Sequence, residues 1–301
     1  MATAAPVLAD QQWEVSEHVG LWQDAWQRFR RNRLAVAGLA FIVLITLLAI
    51  FAPILTAIHV LADPYAQNVS NAYASFSPAH PFGLDQLGRD ELSRTIYGAR
   101  ISLAIGVGVQ VIVLVLGAGI GLVAGYSGGW VDNLLMRFTD IMYSYPDLLF
   151  VLIIVSAFGP SFLNIFLAVG VVYWTNLARL VRGQVLSLKE QEFVEAARAG
   201  GAKPVRIMIR HLLPNTLGPI IVTLTFGVPQ AIFTEAVLSY LGIGVRPPTA
   251  DWGVMVNEGY AAIFSYPHLV LFPSIAIGLT TLAFTFVGDG LRDALDPRMR
   301  R

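Results

Sequence analysis

An all-α protein that crosses a membrane six times is the fold class this sequence predicts, and three observations predict it. Apolar residues fill 55% of the 301 positions and charged residues 13%, with a mean hydropathy of +0.63, which leaves too little polar surface to coat a soluble globule. Six apolar runs meet or approach the roughly 20 helical residues that a hydrocarbon core of about 30 Å requires. Sixteen of the twenty Lys and Arg fall on one set of alternating connections, the asymmetry expected of a multi-pass helical chain.

Residues 1–33 are a polar or amphipathic lead carrying Glu14, Glu17, Asp24 and then Arg28, Arg30, Arg31 and Arg33. It lacks the short basic start and cleavage site of a secretory signal, so the first span, 34–57, reads as a retained anchor. A long outer segment, 58–96, is rich in Pro, aromatic and polar residues. Five further spans make up a core over 97–288, placed at 97–124, 134–157, 162–180, 215–241 and 269–288. A second outer segment lies at 242–268, a charged inner connection at 190–214 and a tail at 289–301. Six spans bring both termini to one side, and the basic excess makes that side cytoplasmic. The tail residues Asp289, Asp293 and Asp296, with Arg292 and Arg298, read as a solvated helix exit.

Several function classes drop out. A net charge of zero offers no concentrated basic face for nucleic acid. No cysteine is present, which excludes disulfides, thiolate metal sites and cysteine catalysis. His59, His80, His211 and His268 are scattered singly, without metal-ligand spacing. No GxxxxGK[ST] sequence occurs, so the chain has no nucleotide loop of its own. Gly117, Gly121 and Gly125 recur every four residues within a span and read as a packing stripe. The segments also lack His-Glu-x-x-His and the other convergent sets of an intramembrane enzyme.

Ionisable groups inside spans cost at least ~2.5 kcal/mol near the bilayer centre and therefore face protein or water. Asp140, Asp147 and Glu235, with Ser239 one turn beyond Glu235, are candidate pathway-lining residues. Asp147 follows Tyr145-Pro146, where a proline can open a kink. In the outer segment, Asp85 with Arg89 and Asp90 with Arg94 stand four apart and would pair on a helix. They are candidates both for stabilising that segment and for docking a delivery protein.

The inner connection holds the island Glu192-Phe193-Val194-Glu195-Ala196-Ala197-Arg198-Ala199-Gly200-Gly201-Ala202-Lys203-Pro204. Phe193, Ala196, Ala197 and Gly200 recur at helical spacing, and Glu195 and Arg198 stand three apart. Gly200-Gly201 should end that helix and Pro204 should open another. The pattern predicts helix, bend, helix. Periodicity alone fits a docking helix and a helix lying on lipid headgroups equally, because Lys203, Arg206 and Arg210 cluster beside it.

Glu195-Ala196-Ala197, three residues, Gly201, nine residues and then His211-Leu212-Leu213-Pro214 resembles the EAA loop of permease subunits in ABC-type importers, with His211 where many such loops have isoleucine. The stretch from His80-Pro81-Phe82-Gly83-Leu84-Asp85 to Ile101-Ser102-Leu103 resembles the second permease of dipeptide, oligopeptide and nickel ABC importers. So do Phe233-Thr234-Glu235-Ala236-Val237-Leu238-Ser239-Tyr240-Leu241-Gly242 and Gly288-Asp289-Gly290-Leu291-Arg292-Asp293-Ala294-Leu295-Asp296-Pro297-Arg298. The likeness covers nearly all of the chain beyond about residue 20.

That resemblance implies the type I importer permease fold with a cytoplasmic coupling helix, in a bacterial cytoplasmic (inner) membrane. It implies that Glu195, Ala196, Ala197, Arg198 and Gly201 couple the chain to ATPase subunits. The implied partners are a homologous permease, two ATP-binding subunits and an extracytoplasmic substrate-binding protein. ATP and Mg would sit on the ATP-binding subunits, with no cofactor on this chain. Di- and oligopeptides are the expected cargo, with nickel, glutathione or opines as alternatives. In such a complex Glu235 could instead pair with the second permease. A secondary transporter, the rival from another class, would be expected to show more spans or an inverted repeat.

Overall fold

The computed structural model describes residues 21–296; the first part of the N-terminal segment and the end of the tail, including Arg298, lie outside the described residues. Among the described residues the regular structure is helical, without strands. Helix α1 (Leu21–Arg31) forms within the lead that the sequence marked only as amphipathic. Its Asp24 and Arg28 pair at 3.1 Å one turn apart, and its Ala25 and Phe29 are buried with Val287 and Ala294. Asn32 separates it from α2 (Arg33–Ala57), accepting hydrogen bonds from the Leu34 and Ala35 amides at 3.1 Å each and so capping the new helix.

Helix α2 is apolar on every side and largely exposed, the surface of a helix that lipid can cover. It meets α10 (His268–Leu295) through small residues such as Ala35 and Gly38. Helix α3 (Glu91–Ser127) starts at the Asp90 cap, six residues before the expected span, and contains a π-helical turn at Leu114–Ala118. Its glycine stripe packs as anticipated. A methyl group on Gly121 would lie 2.6 Å from the Ala178 carbonyl of α6 (Phe162–Leu188), and one on Gly117 2.9 Å from that of Trp174. Only hydrogen permits that approach.

Between α3 and α6 the expected single span at 134–157 is two helices, α4 (Gly129–Ser144) and α5 (Asp147–Phe158), bent by 85°. The cause is local: Tyr145 precedes a proline and takes an extended conformation, ψ 142°, which ends α4. Among the described residues, five helices are long and apolar enough to cross a membrane alone, and a sixth crossing is reached when this bent pair is counted as one broken span. After α6 come the short α7 (Glu192–Ala199), the long α8 (Pro204–Tyr240), the short α9 (Trp252–Tyr260) and α10.

Close glycine contacts show α3 and α6 running parallel, with α8 antiparallel to α3. One end of the bundle, the basic end, gathers α1, the start of α2, the end of α3 and α7. The other, the capped end, carries the segment 58–90 and α9. The largest buried cluster joins α3, α5, α6 and α8 and reaches Val194 of α7, so the short helix is continuous with the core.

Candidate functional site

At the basic end, α7 is held from one side only. Val194 is fully buried and Ala197 half-buried against the cluster containing Ile207 and Leu212. Glu192, Phe193, Glu195, Ala196, Arg198 and Ala199 are exposed. Of the expected stripe, Phe193, Ala196 and Gly200 therefore face away from their own chain, whereas Ala197 turns to the core beside Val194, which lies outside that stripe and supplies the anchor. Glu195 and Arg198 do not pair with each other, so both side chains are presented outward.

Gly201 ends the helix. Its φ of +76° is the left-handed conformation that favours glycine. The Ala202 amide donates to the Ala197 carbonyl and the Gly201 amide to that of Arg198, both at 3.0 Å, closing a Schellman turn. Lys203 is then extended, as a residue before proline must be, and Pro204 opens α8. Helix, bend and helix follow in the anticipated order.

At the capped end, the candidate docking residues turn inward. Arg89, Arg94, Asp85 and Asp90 are 1–4% exposed. Asp85 and Arg89 do pair, at 2.6 Å, but in a tight turn closed by the Leu84–Asp90 bridge rather than on a helix. The expected Asp90–Arg94 pair is absent: Asp90 accepts from the Ser93 amide at 2.7 Å as the cap of α3 and contacts His80 Nδ1 at 2.8 Å. Arg94 instead reaches Glu258 on α9 at 2.6 Å, where Arg89 joins it at 2.8 Å. The pairing of Glu258 was not anticipated.

Glu235 and Ser239 are also internal. Both are at most 1% exposed and line neither of the cavities described below. Ser102 Oγ donates to Glu235 Oε2 at 3.0 Å, and Ser239 Oγ lies 2.9 Å from Glu235 Oε1 and 3.2 Å from Asp251 Oδ2. One hydroxyl has one proton, so Ser239 Oγ can satisfy only one of the two carboxyls as a donor at a time. Asp251 also accepts from the Val254 amide at 2.9 Å, capping α9, and burial pushes its carboxyl up to about 6. These acids join α8 to the cap.

Asp140 sits on the outer surface of α4, bound to Arg179 at 2.8 Å, with the Arg179 guanidinium 4.0 Å from the Tyr143 ring centre. Asp132, not singled out by the sequence, makes a two-pronged contact with Arg182 at 2.6 and 2.7 Å. Two carboxylates of α4 thus neutralise two cations of α6.

Asp147 differs from these. As the first residue of α5 after the 85° break, it lines a recess of about 260 Å³ with Gln110, Tyr173, Asn176 and Gln230. These neighbours lie near the middle of α3, α6 and α8, so the recess sits at half-height in the bundle. A larger cavity of about 740 Å³ opens at the basic end between α1, α6, α8 and α10. Of the four candidate pathway residues, Asp147 is the one that lines either of these two cavities. Among the described residues no cluster suits a metal ion.

Residues 117–301 match the family described as binding-protein-dependent transport system inner membrane component, and residues 20–78 match the N-terminal TM domain of oligopeptide transport permease C. The chain is 45% identical over 283 residues to the oligopeptide transport system permease protein OppC of Bacillus subtilis (strain 168), covering 94% of this chain and 92% of that one. It is 43% identical over 283 residues to the dipeptide transport system permease protein DppC of Alkalihalophilus pseudofirmus, covering 94% and 91%. It is 42% identical over 282 residues to the glutathione transport system permease protein GsiD of Escherichia coli O6:K15:H31, covering 93% and 91%.

Proposed function

As the chain belongs to the family of binding-protein-dependent transport system inner membrane components, we propose that it forms, with a homologous permease, the pathway for di- and oligopeptides in an ATP-driven importer. It is a permease of the OppC/DppC type, and that family works with ATPase subunits and a binding protein. Both termini and α7 lie on the cytoplasmic side in this reading, supported by the basic excess at that end.

The observation that carries the proposal is the outward face of α7. An exposed apolar stripe flanked by Glu195 and Arg198, on a helix rooted in the core through Val194, is a docking surface that moves only with the bundle. A subunit that grips it transmits its own closure to α6 and α8. ATP therefore acts by contact: the ATPase pair closes, α7 follows, and the bundles tilt to change the side on which the pathway opens. Driving a two-state body from 1:99 to 99:1 requires about 5.5 kcal/mol of differential binding. An apolar stripe with a charged edge, repeated on the second permease, is suited to supply it.

The experiment exploits the absence of native cysteine. An Ala196→Cys variant, assembled with its partners, should crosslink to a cysteine placed in the cleft of the ATPase subunit, with a yield that changes when ATP is added. Reconstituted complex should then show ATPase activity stimulated by its binding protein loaded with peptide. Stimulation by glutathione alone would shift the cargo to that class, as the 42% identity to a glutathione permease allows. Absence of any crosslink to an ATPase would overturn the coupling assignment.

A further inference from the structure

The half-height recess carries one charge. Of its lining residues Asp147 is the carboxylate, and none is Lys, Arg or His. The nearest cations on α6 are already engaged, Arg179 by Asp140 and Arg182 by Asp132. The other polar groups present are neutral: the carboxamides of Gln110, Asn176 and Gln230 and the hydroxyls of Tyr173 and Thr223. Gly227 leaves room for the Gln110 side chain, which sits where a methyl group would be. A site with a net negative charge and several amide-like partners is complementary to a cation followed by peptide groups. A carboxylate end would meet the Asp147 charge there with no cation in the lining to offset it.

Size sharpens the match. At about 260 Å³ the recess is smaller than the roughly 300–1,000 Å³ of pockets that enclose whole ligands. It accommodates one end of a cargo molecule while the remainder stays in the pathway. Resting on the peptide-importer reading above, we propose that Asp147 is a specificity-determining residue that receives the protonated α-amino end of the transported peptide, with Gln110, Asn176 and Gln230 meeting its first amide groups. The chain break at Tyr145-Pro146 is what delivers this carboxylate to the middle of the bundle. A straight helix through 134–157 would have no bend there to turn residue 147 toward α6 and α8.

The test uses the complete complex in proteoliposomes, supplied with its binding protein. Uptake of tri-alanine and of N-acetyl-tri-alanine is measured at concentrations that saturate the binding protein, normalised to the amount of assembled complex. The wild type should carry the free-amino peptide about tenfold faster or more, the scale of one charge-assisted hydrogen bond. Asp147→Asn should lose that preference and Asp147→Glu should retain most of it; Asp147→Ser replaces the Asn variant should that one fail to assemble. An Asn or Ser variant that keeps the preference, or that slows both peptides equally, overturns the inference and leaves the peptide reading standing. A wild-type complex that imports neither peptide overturns both.

Discussion

Arg94 on α3 and Glu258 on α9 meet at 2.6 Å, although 164 positions separate them in the chain. Arg89 shares the same carboxylate oxygen, and Asp85 balances the second guanidinium. Two buried arginines are thus tied to α9 through one glutamate. Replacing Glu258 with Gln or Ala should cost about 3–5 kcal/mol, the usual consequence of leaving buried charge uncompensated. A thermal melt of the solubilised protein checks it: a Tm within 2 °C or so of wild type would show that the network does not hold the cap.

Asp251 couples that cap to α8 in a pH-dependent way. Its carboxyl is raised from the ordinary 3.8 to about 6 by burial, so in the folded protein it keeps a proton that the unfolded chain has already released. Below about 4 both states hold the proton. Between there and about 6 the native state loses stability as pH rises, and above that the loss levels off. Asp251→Asn retains an oxygen for the Val254 amide but cannot ionise. Its melting temperature relative to wild type should therefore climb across this window, as measured by melts at pH 4 to 8. A flat difference would mean that Asp251 titrates normally.

Gly121 and Ala178 set the distance between α3 and α6. Since a methyl group at 121 would sit 2.6 Å from a backbone carbonyl, Gly121→Ala should cost about 1–3 kcal/mol and Gly121→Leu should prevent stable assembly. Yield of monodisperse protein after membrane extraction reads the difference. A fully stable leucine variant would show that the helices part without penalty.

What the sequence makes legible is what local chemistry controls. Apolar runs place the long helices, the glycine stripe marks α3 as a closely packed helix without naming its partner α6, and Gly200-Gly201 with Pro204 fixes the turn after α7. Tyr145-Pro146 signals a break, but its size depends on packing against α6, where Asp132 and Arg182 hold α4. Helix α1 stayed hidden because its apolar side is short and acquires meaning only against α10. Glu258 offered no local signal for its partners, which lie in another part of the chain. The Asp85–Arg89 spacing suggested a helix, yet the same four-residue separation is met by a turn. Spacing reports proximity and leaves the backbone path open. Of the stripe Phe193, Ala196, Ala197 and Gly200, Ala197 turns to the core and the other three are exposed, a division the sequence could not supply, since a residue facing a partner and one facing the core look alike.

That division leads to the sharpest test of coupling. Gly201 has φ +76° and nothing near it that a side chain would strike, so a substitution there acts through the backbone and through whatever docks outside. An L-residue in this conformation costs roughly 1–2 kcal/mol, too little to unfold the bundle but enough to misalign α7. Gly201→Trp should therefore insert and assemble at near-normal levels while uptake and peptide-stimulated ATP hydrolysis are lost together. Glu195→Lys, which reverses an exposed charge without touching the fold, should do the same. Each is read by transport and ATPase assays on the same preparation, normalised to the amount of chain in the membrane. If both variants transported at the wild-type rate, α7 would be a lipid-facing helix, the alternative its Lys203, Arg206 and Arg210 neighbours would then explain.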